Sequence, residues 1–210
     1  MLRSISVTRA SSAAAAALAL GFALAPPAQA ENKKHHLTLA IGYQKYLSDD
    51  MKPSIDVDPG PAVDLREFDF SNAAMGTFAY RLSIKPNLDF TVDSRAAISS
   101  QDVFGTDVTV TTTYFGPGIR CISSKEGIRP YVQANFLVVS EELEIDLGNN
   151  NSFNSSETGV GFGLSAGIDI RGGNLLSIPV EAFYVYGKPE DDVSAIGVNA
   201  GLTFNFGTLK

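Results

Sequence analysis

Apolar and polar residues alternate one by one along residues 195–206, which read AIGVNAGLTFNF. The even positions, from Ile196 to Phe206, are apolar, and the odd positions are small or polar. A period of two places alternate side chains on opposite faces of a strand, whereas an amphipathic helix repeats its apolar positions every three or four residues. The pattern therefore predicts a strand with one apolar face and one polar face.

The same alternation recurs along most of the chain. In residues 88–98, for example, Phe90 and Ile98 fall on one face, and Asp93 and Arg95 fall on the other. The pattern predicts eight strands, at residues 37–47, 68–82, 88–98, 108–121, 128–141, 158–171, 176–187 and 195–206. Short turns at 84–87, 123–127 and 172–174 alternate with longer polar segments, predicted to be loops, at 48–66, 99–107, 142–157 and 188–193.

The two faces differ in a way that separates a membrane barrel from a soluble one. A soluble barrel turns its apolar face inward, whereas a barrel in a membrane turns it outward to lipid. Here the polar face combines small residues with opposite charges, which suits a narrow filled lumen, and the apolar face carries large aromatic residues near strand ends. The pattern favours a membrane barrel over a soluble sandwich or barrel.

The first thirty residues have the layout of a secretory signal peptide. Arg3 and Arg9 precede the apolar run AAAAALALGFALA, and the small-residue triplet Ala28-Gln29-Ala30 follows it. This layout predicts export and cleavage near Glu31, which leaves residues 31–210 as the barrel domain. A permanent membrane anchor is the weaker alternative, because the apolar run is short and is followed by prolines.

Composition narrows the functional classes. Asp and Glu number 23 against 16 Lys and Arg, for a net charge of −7, so the basic footprint of a nucleic-acid-binding protein is missing. Cys121 is the only cysteine, so neither an intrachain disulfide nor a thiolate metal cluster can form. After residue 30 no stretch approaches the ~20 apolar residues of a transmembrane helix, so a membrane crossing would use strands.

Four segments carry a family resemblance: RPYVQANF, GVGFGLSAGIDI, IPVEAFYVYG and GVNAGLTFNF. They resemble the small eight-stranded outer-membrane β-barrels of Gram-negative bacteria, of the outer membrane protein A transmembrane type. The resemblance implies an all-β, antiparallel, up-and-down transmembrane barrel in the bacterial outer membrane, with both termini in the periplasm. It also implies contact with outer-membrane lipid and lipopolysaccharide, and recognition of the last strand, ending at Phe206, by the barrel-assembly machinery. We expect a monomer.

A set of charged residues falls on the predicted lumen face. Because eight strands leave room only for side chains, these charges are expected to pair with one another. One interpretation is a static plug of ion pairs, and the alternative is a gate whose pairs exchange to open a narrow pore. The predicted lumen network consists of Arg81, Asp89, Asp93, Arg95, Asp169, Arg171 and Glu181.

The predicted loops are acidic. Carboxylate oxygens are the ligands that calcium and magnesium prefer, so these loops could bind divalent cations that bridge to lipopolysaccharide. No motif defines a resident metal or cofactor. The candidate cation-binding residues are Asp49, Asp50, Asp56, Asp58, Glu142, Glu144, Asp191 and Asp192.

Two further motifs are assigned structural roles. Gly161, Gly163 and Ala166 match the G-x-G-x-x-G/A spacing of a dinucleotide-binding loop, but no strand precedes and no helix follows them, so they are predicted to line the lumen. His35 and His36 precede the first predicted strand and are expected to lie in a solvated, mobile N-terminus.

These observations predict a non-enzymatic outer-membrane barrel with a structural or surface-interaction role. The alternatives are a narrow pore of low conductance and, less favoured, a lipid-modifying enzyme. An enzyme of that kind needs a general base beside a nucleophile, most often a histidine, and the two histidines lie far from the predicted loops.

Overall fold

Ten strands form the computed structural model, which describes residues 34–47, 54–55, 63–64, 71–103, 106–123, 127–146, 152–189 and 192–206. The predicted signal peptide, residues 1–30, lies outside the described residues. The strands are β1 (His35–Tyr46), β2 (Ser54–Ile55), β3 (Val63–Asp64), β4 (Asn72–Lys85), β5 (Leu88–Val103), β6 (Thr106–Ile122), β7 (Ile128–Asp146), β8 (Ser152–Arg171), β9 (Leu176–Lys188) and β10 (Val193–Phe206).

Eight of these strands close into an antiparallel barrel. The order around it is β1-β10-β9-β8-β7-β6-β5-β4, and β2 pairs with β3 in a separate two-stranded sheet. When the paired residues are followed around the barrel from His35, the register returns to β1 at Lys45, further along the strand. This stagger is what a closed barrel of tilted strands requires. The all-β, eight-stranded prediction is confirmed.

The alternating apolar and polar residues of the sequence face the outside and the lumen of the barrel, respectively. On β10, Ile196 and Val198 are exposed on the outside, while Asn199 and Thr203 are buried in the lumen. On β8, Phe162 and Leu164 are exposed, whereas Gly163 and Ser165 are buried. The outside of the barrel therefore carries an apolar belt, which is the arrangement expected of a wall surrounded by lipid.

Short turns connect the strands at the end of the barrel where β1 begins and β10 ends, which is called the terminal end below. Gly127, before β7, has a φ of 81°, and Gly173, between β8 and β9, has a φ of 133°. Backbone of this kind disfavours any side chain, so glycine is required at both turns. The other end of the barrel is called the loop end.

Four consecutive strands continue well beyond the apolar belt at the loop end. β5, β6, β7 and β8 have 16, 17, 19 and 20 residues, against the ~9–11 that cross a bilayer. The prediction that residues 99–107 and 142–157 are loops is therefore wrong over most of their length. Beyond the belt, the outward-facing positions of the strands are polar instead of apolar. Thr109 and Thr111 face outward there, whereas Val108 and Val110 are buried.

These extensions pair across their whole width and form one projecting sheet. Asp107 of β6 lies opposite Asp102 of β5 and Asp146 of β7, and β7 and β8 remain paired up to Asp146 and Ser152. β9 accompanies β8 only from Val160, so the projecting sheet contains four strands. Within the described residues, no helix is long and apolar enough to cross a membrane.

Candidate functional site: a filled lumen and a projecting sheet

A guanidinium between two carboxylates occupies the middle of the lumen. Arg95 lies 2.8 Å from Glu181 and 3.3 Å from Asp93, and it packs over the ring of Phe183 at 4.7 Å. The Glu181 carboxylate also accepts hydrogen bonds from three neutral side chains. Because all three charged groups are buried, this cluster ties β5 to β9 through the centre of the barrel.

Neutral donors add hydrogen bonds to both carboxylates, although Oδ1 of Asp93 is buried without a partner. Glu181 accepts from Tyr131 at 3.0 Å, from Ser165 at 3.1 Å and from Asn199 at 3.3 Å. Asp93 accepts from Gln133 at 2.6 Å. A buried charge is tolerated only when it is paired and hydrogen-bonded, and these contacts supply both conditions.

A second group of buried charges lies towards the terminal end. Arg129 is paired with Asp169, its neighbour across the strand pair. Arg81 donates to Thr38 at 2.7 Å and to Thr203 at 2.8 Å, so it bonds hydroxyl groups rather than a carboxylate. Arg120 stacks over another ring, with its guanidinium carbon 3.4 Å from the centroid of Tyr131.

Six of the seven residues of the predicted lumen network are buried inside the barrel, and Arg171 is not among them. Arg171 has lumen parity, but it is the last residue of β8 and is exposed. Two further arginines that were not part of the predicted network, Arg120 and Arg129, are also buried inside the barrel. Among the residues that the structure describes, the buried arginines and acids are Arg81, Arg95, Arg120, Arg129, Asp89, Asp93, Asp169 and Glu181.

The position of His36 contradicts the expectation that the two histidines lie in a solvated, mobile N-terminus. It lies on β1 with only 7 % of its surface exposed, and its ring nitrogens are 2.6 Å from Asn205 of β10 and 3.0 Å from Ser83 of β4. Strand pairing begins at His35 because both neighbouring strands reach this level, so the histidines are ordered rather than solvated. The Ser83 hydroxyl donates to Asp89 at 2.7 Å, so its proton is not directed at the imidazole as a nucleophile's would be.

The loop-end part of the lumen is apolar, which the sequence analysis did not foresee. Two buried tyrosines are anchored by hydrogen bonds: Tyr114 accepts from Gln44 at 2.8 Å, and Tyr46 donates to Thr112 at 2.7 Å. The alternating pattern does not predict this apolar part of the lumen, because both faces of the strands are apolar in these stretches. The apolar seal consists of Tyr46, Ala73, Met75, Ala97, Tyr114, Leu137, Val139, Phe183, Val185, Val193 and Ala195.

Aromatic residues mark the loop-end border of the apolar belt. The ring of Phe162 on β8 lies 6.2 Å from that of Tyr184 and 5.6 Å from that of Tyr186, both on β9. Aromatic rings concentrate at the water interface of membrane barrels, because one part of the ring is apolar and tyrosine has a polar tip. Below this border the outer surface of the barrel carries exposed aliphatic side chains, such as Ile41, which is 80 % exposed.

Acidic residues gather on the projecting sheet. Glu142 and Glu144 lie on β7 rather than in a loop, and the strand register places Asp107 between two other aspartates. Asp192 is 3.3 Å from Lys188. Within the described residues, no three His, Cys, Asp or Glu side chains gather as a metal site. The other candidate cation-binding residues, Asp49, Asp50, Asp56, Asp58 and Asp191, lie outside the described residues.

Solved structures of outer-membrane proteins share this architecture. The attachment invasion locus protein Ail of Yersinia pestis, in complex with the heparin analogue sucrose octasulfate, superimposes with a TM-score of 0.56 at 13 % identity, covering 83 % of this chain and 99 % of Ail. Neisserial surface protein A gives a TM-score of 0.57 at 16 % identity, covering 82 % of this chain and 97 % of that protein. At these identities the likeness shows the fold alone. No curated protein sequence matches the chain.

A family model agrees with the barrel geometry and covers most of the sequence. The model describes the outer membrane protein beta-barrel domain and matches residues 14–206. Its span includes all eight barrel strands and the acidic projecting sheet. The chain therefore belongs to the outer membrane protein β-barrel domain family, whose members reside in the bacterial outer membrane.

Proposed function

We propose that this chain is a non-enzymatic outer-membrane protein, exported through cleavage near residue 30, that acts by surface interaction and by strengthening the envelope. The projecting sheet above a filled lumen carries this proposal, because it is the only described part of the barrel that extends far beyond the apolar belt. The terminal end then faces the periplasm. Phe206, 53 % exposed at the end of β10, fits recognition of this strand by the barrel-assembly machinery.

The composition of the projecting sheet argues for a cationic ligand. Ail binds a heparin analogue, which is a polyanion. In this chain Glu142 and Glu144 occupy the outward-facing positions of β7, so a polyanion would meet charge of its own sign. Glu142 and Glu144 lie two residues apart on the same outward face of β7, so their charges repel each other. Divalent cations would relieve this repulsion and bridge the sheet to the phosphates of lipopolysaccharide.

Magnesium is therefore expected to stabilise the barrel through these carboxylates. At a magnesium concentration ten times its dissociation constant, the free energy of unfolding should rise by about 1.4 kcal/mol, measured by urea denaturation in lipid vesicles. The double variant Glu142→Gln/Glu144→Gln should lose most of this increase. Sodium chloride at matched ionic strength serves as the control for screening. An equal increase in the variant would contradict the cation proposal.

The apolar seal argues against the pore alternative. Ions crossing the lumen would have to pass the buried Tyr114, Leu137 and Val139 after passing the paired Arg95. We expect no steady conductance from the refolded protein in planar bilayers. Discrete openings that change in frequency when Arg95 or Glu181 is replaced would support the pore instead.

A further inference from the structure

Positive charge accumulates at the terminal end of the lumen. Five basic residues meet there, and they are called the basic mouth: Lys34, Arg81, Arg120, Arg129 and Arg171. The strand register brings them together, because Arg120 lies opposite Asp89 and Arg129 lies opposite Asp169 at the same end of the barrel. These two aspartates offset only part of the positive charge.

Two arginines of the basic mouth lack a carboxylate partner. Arg81 and Arg120 are each 3 % exposed, and in the part of the chain that the structure describes neither forms an ion pair. The Nε atoms of Arg81, Arg120 and Arg129 and the Nη2 atom of Arg120 are buried without a hydrogen-bond partner. Asp89 lies opposite Arg120 without forming an ion pair with it, so these buried cations are only partly compensated. Partial compensation of a buried cation is costly, so the mouth attracts an anion.

The rim of the mouth is accessible and lies at the edge of the apolar belt. Arg171 donates its backbone N–H to the carbonyl of Gly127, two residues before Arg129, at 3.1 Å. Burial and the positive charges of Arg171 and Arg129 lower the pKa of the Lys34 amine. On the outside of the wall at the same level, Ile128 is 59 % exposed and Leu176 is 42 % exposed. A headgroup at the rim would therefore have acyl-chain packing surface directly beside it.

We propose that the basic mouth binds a phosphate group. Lys34, Arg129 and Arg171 contact the phosphate at the rim, while Arg81 and Arg120 attract it from inside the lumen. The phosphodiester of a phospholipid in the periplasmic leaflet has the matching chemistry and position, and free inorganic phosphate has the same chemistry. This inference depends on the orientation of the barrel and not on the cation-binding role of the projecting sheet.

Native mass spectrometry of the refolded full chain tests the site. Phosphatidylglycerol, inorganic phosphate and an uncharged diacylglycerol are titrated separately. The double variant Lys34→Gln/Arg171→Gln changes two side chains at the rim, outside the lumen, and should weaken phosphatidylglycerol binding about tenfold. Lys45→Gln, at an exposed lysine near the loop end of β1, is the matched control and should leave it unchanged.

Each result of this titration has a definite meaning. Binding of phosphatidylglycerol that depends on Lys34 and Arg171 supports a lipid ligand, and binding of inorganic phosphate alone with the same dependence supports the site with a soluble ligand. Equal affinity of the wild type and the double variant would overturn the proposal. So would diacylglycerol binding as tight as that of phosphatidylglycerol, because the acyl chains alone would then account for it.

The contribution from inside the lumen has its own test. Arg120→Gln removes the buried charge, whereas Arg120→Lys keeps it. Phosphatidylglycerol should bind more weakly to the first variant than to the second, when both migrate as folded barrels on unheated gels. Equal binding by the two folded variants would remove Arg120 from the site.

Discussion

Replacing Arg95 with methionine is expected to cost about 3–5 kcal/mol of folding free energy, because it leaves two buried carboxylates without their shared cation. Arg95 is the only group that bridges Asp93 and Glu181 in the described lumen. The measurement is urea unfolding in lipid vesicles, combined with the migration of heated and unheated samples on denaturing gels. Lys188→Met is the matched control, since its exposed pair with Asp192 is worth at most about 1 kcal/mol.

The charge explanation for Arg95 can be separated from a packing explanation. The triple variant Arg95→Met/Asp93→Asn/Glu181→Gln also removes the two buried negative charges that the single variant leaves without a cation. The triple variant should recover a large part of the lost stability, because neutral amides keep the shape of the carboxylates. If it is no more stable than Arg95→Met, the loss comes from the contact of Arg95 with Phe183 rather than from charge.

Replacing Gly163 with phenylalanine is expected to abolish the folded barrel. A Cβ at this position would lie 3.1 Å from Leu137 Cδ1 and 3.6 Å from Val185 Cγ1, and the adjoining cavity has room for only about one water molecule. A methyl group fits if Leu137 shifts slightly, but an aromatic ring does not, and the cost should exceed about 3 kcal/mol. The yield of the heat-sensitive folded form on gels is the measurement.

Gly76 provides the matched control for Gly163. It lies on the outer face of β4, and a Cβ there meets nothing within 4 Å. Gly76→Phe should therefore fold, because its ring extends into lipid. If both variants fold equally well, the lumen beside Gly163 is looser than the structure indicates.

The barrel could be predicted from the sequence because a wall between lipid and a polar interior enforces alternation. β10 illustrates this, since Ile196 and Asn199 must face opposite ways in any register that keeps the belt apolar. The same reasoning explains why Gly163 was assigned to the lumen rather than to a nucleotide site. Its neighbours Phe162 and Leu164 face outward from one continuous strand, β8.

The features that escaped prediction lie where this alternation is lost. In the apolar seal, Leu137 and Val139 face the lumen while Phe136 and Val138 face lipid, so the sequence is apolar on both sides and does not reveal which side closes. In the projecting sheet, the strands leave lipid, and polar residues on their outer face resemble a loop. His36 escaped because its partners, Ser83 and Asn205, are distant in sequence and meet only when the barrel closes.

The unequal distribution of charge among the described residues of the barrel gives them an electric dipole along the barrel axis. Its positive end is the arginine-rich terminal end, and its negative end is the carboxylate-bearing sheet. Turning the barrel over would carry both charged ends through hydrocarbon, where each charge is costly. The barrel's own charges therefore oppose a reversal of its orientation after insertion.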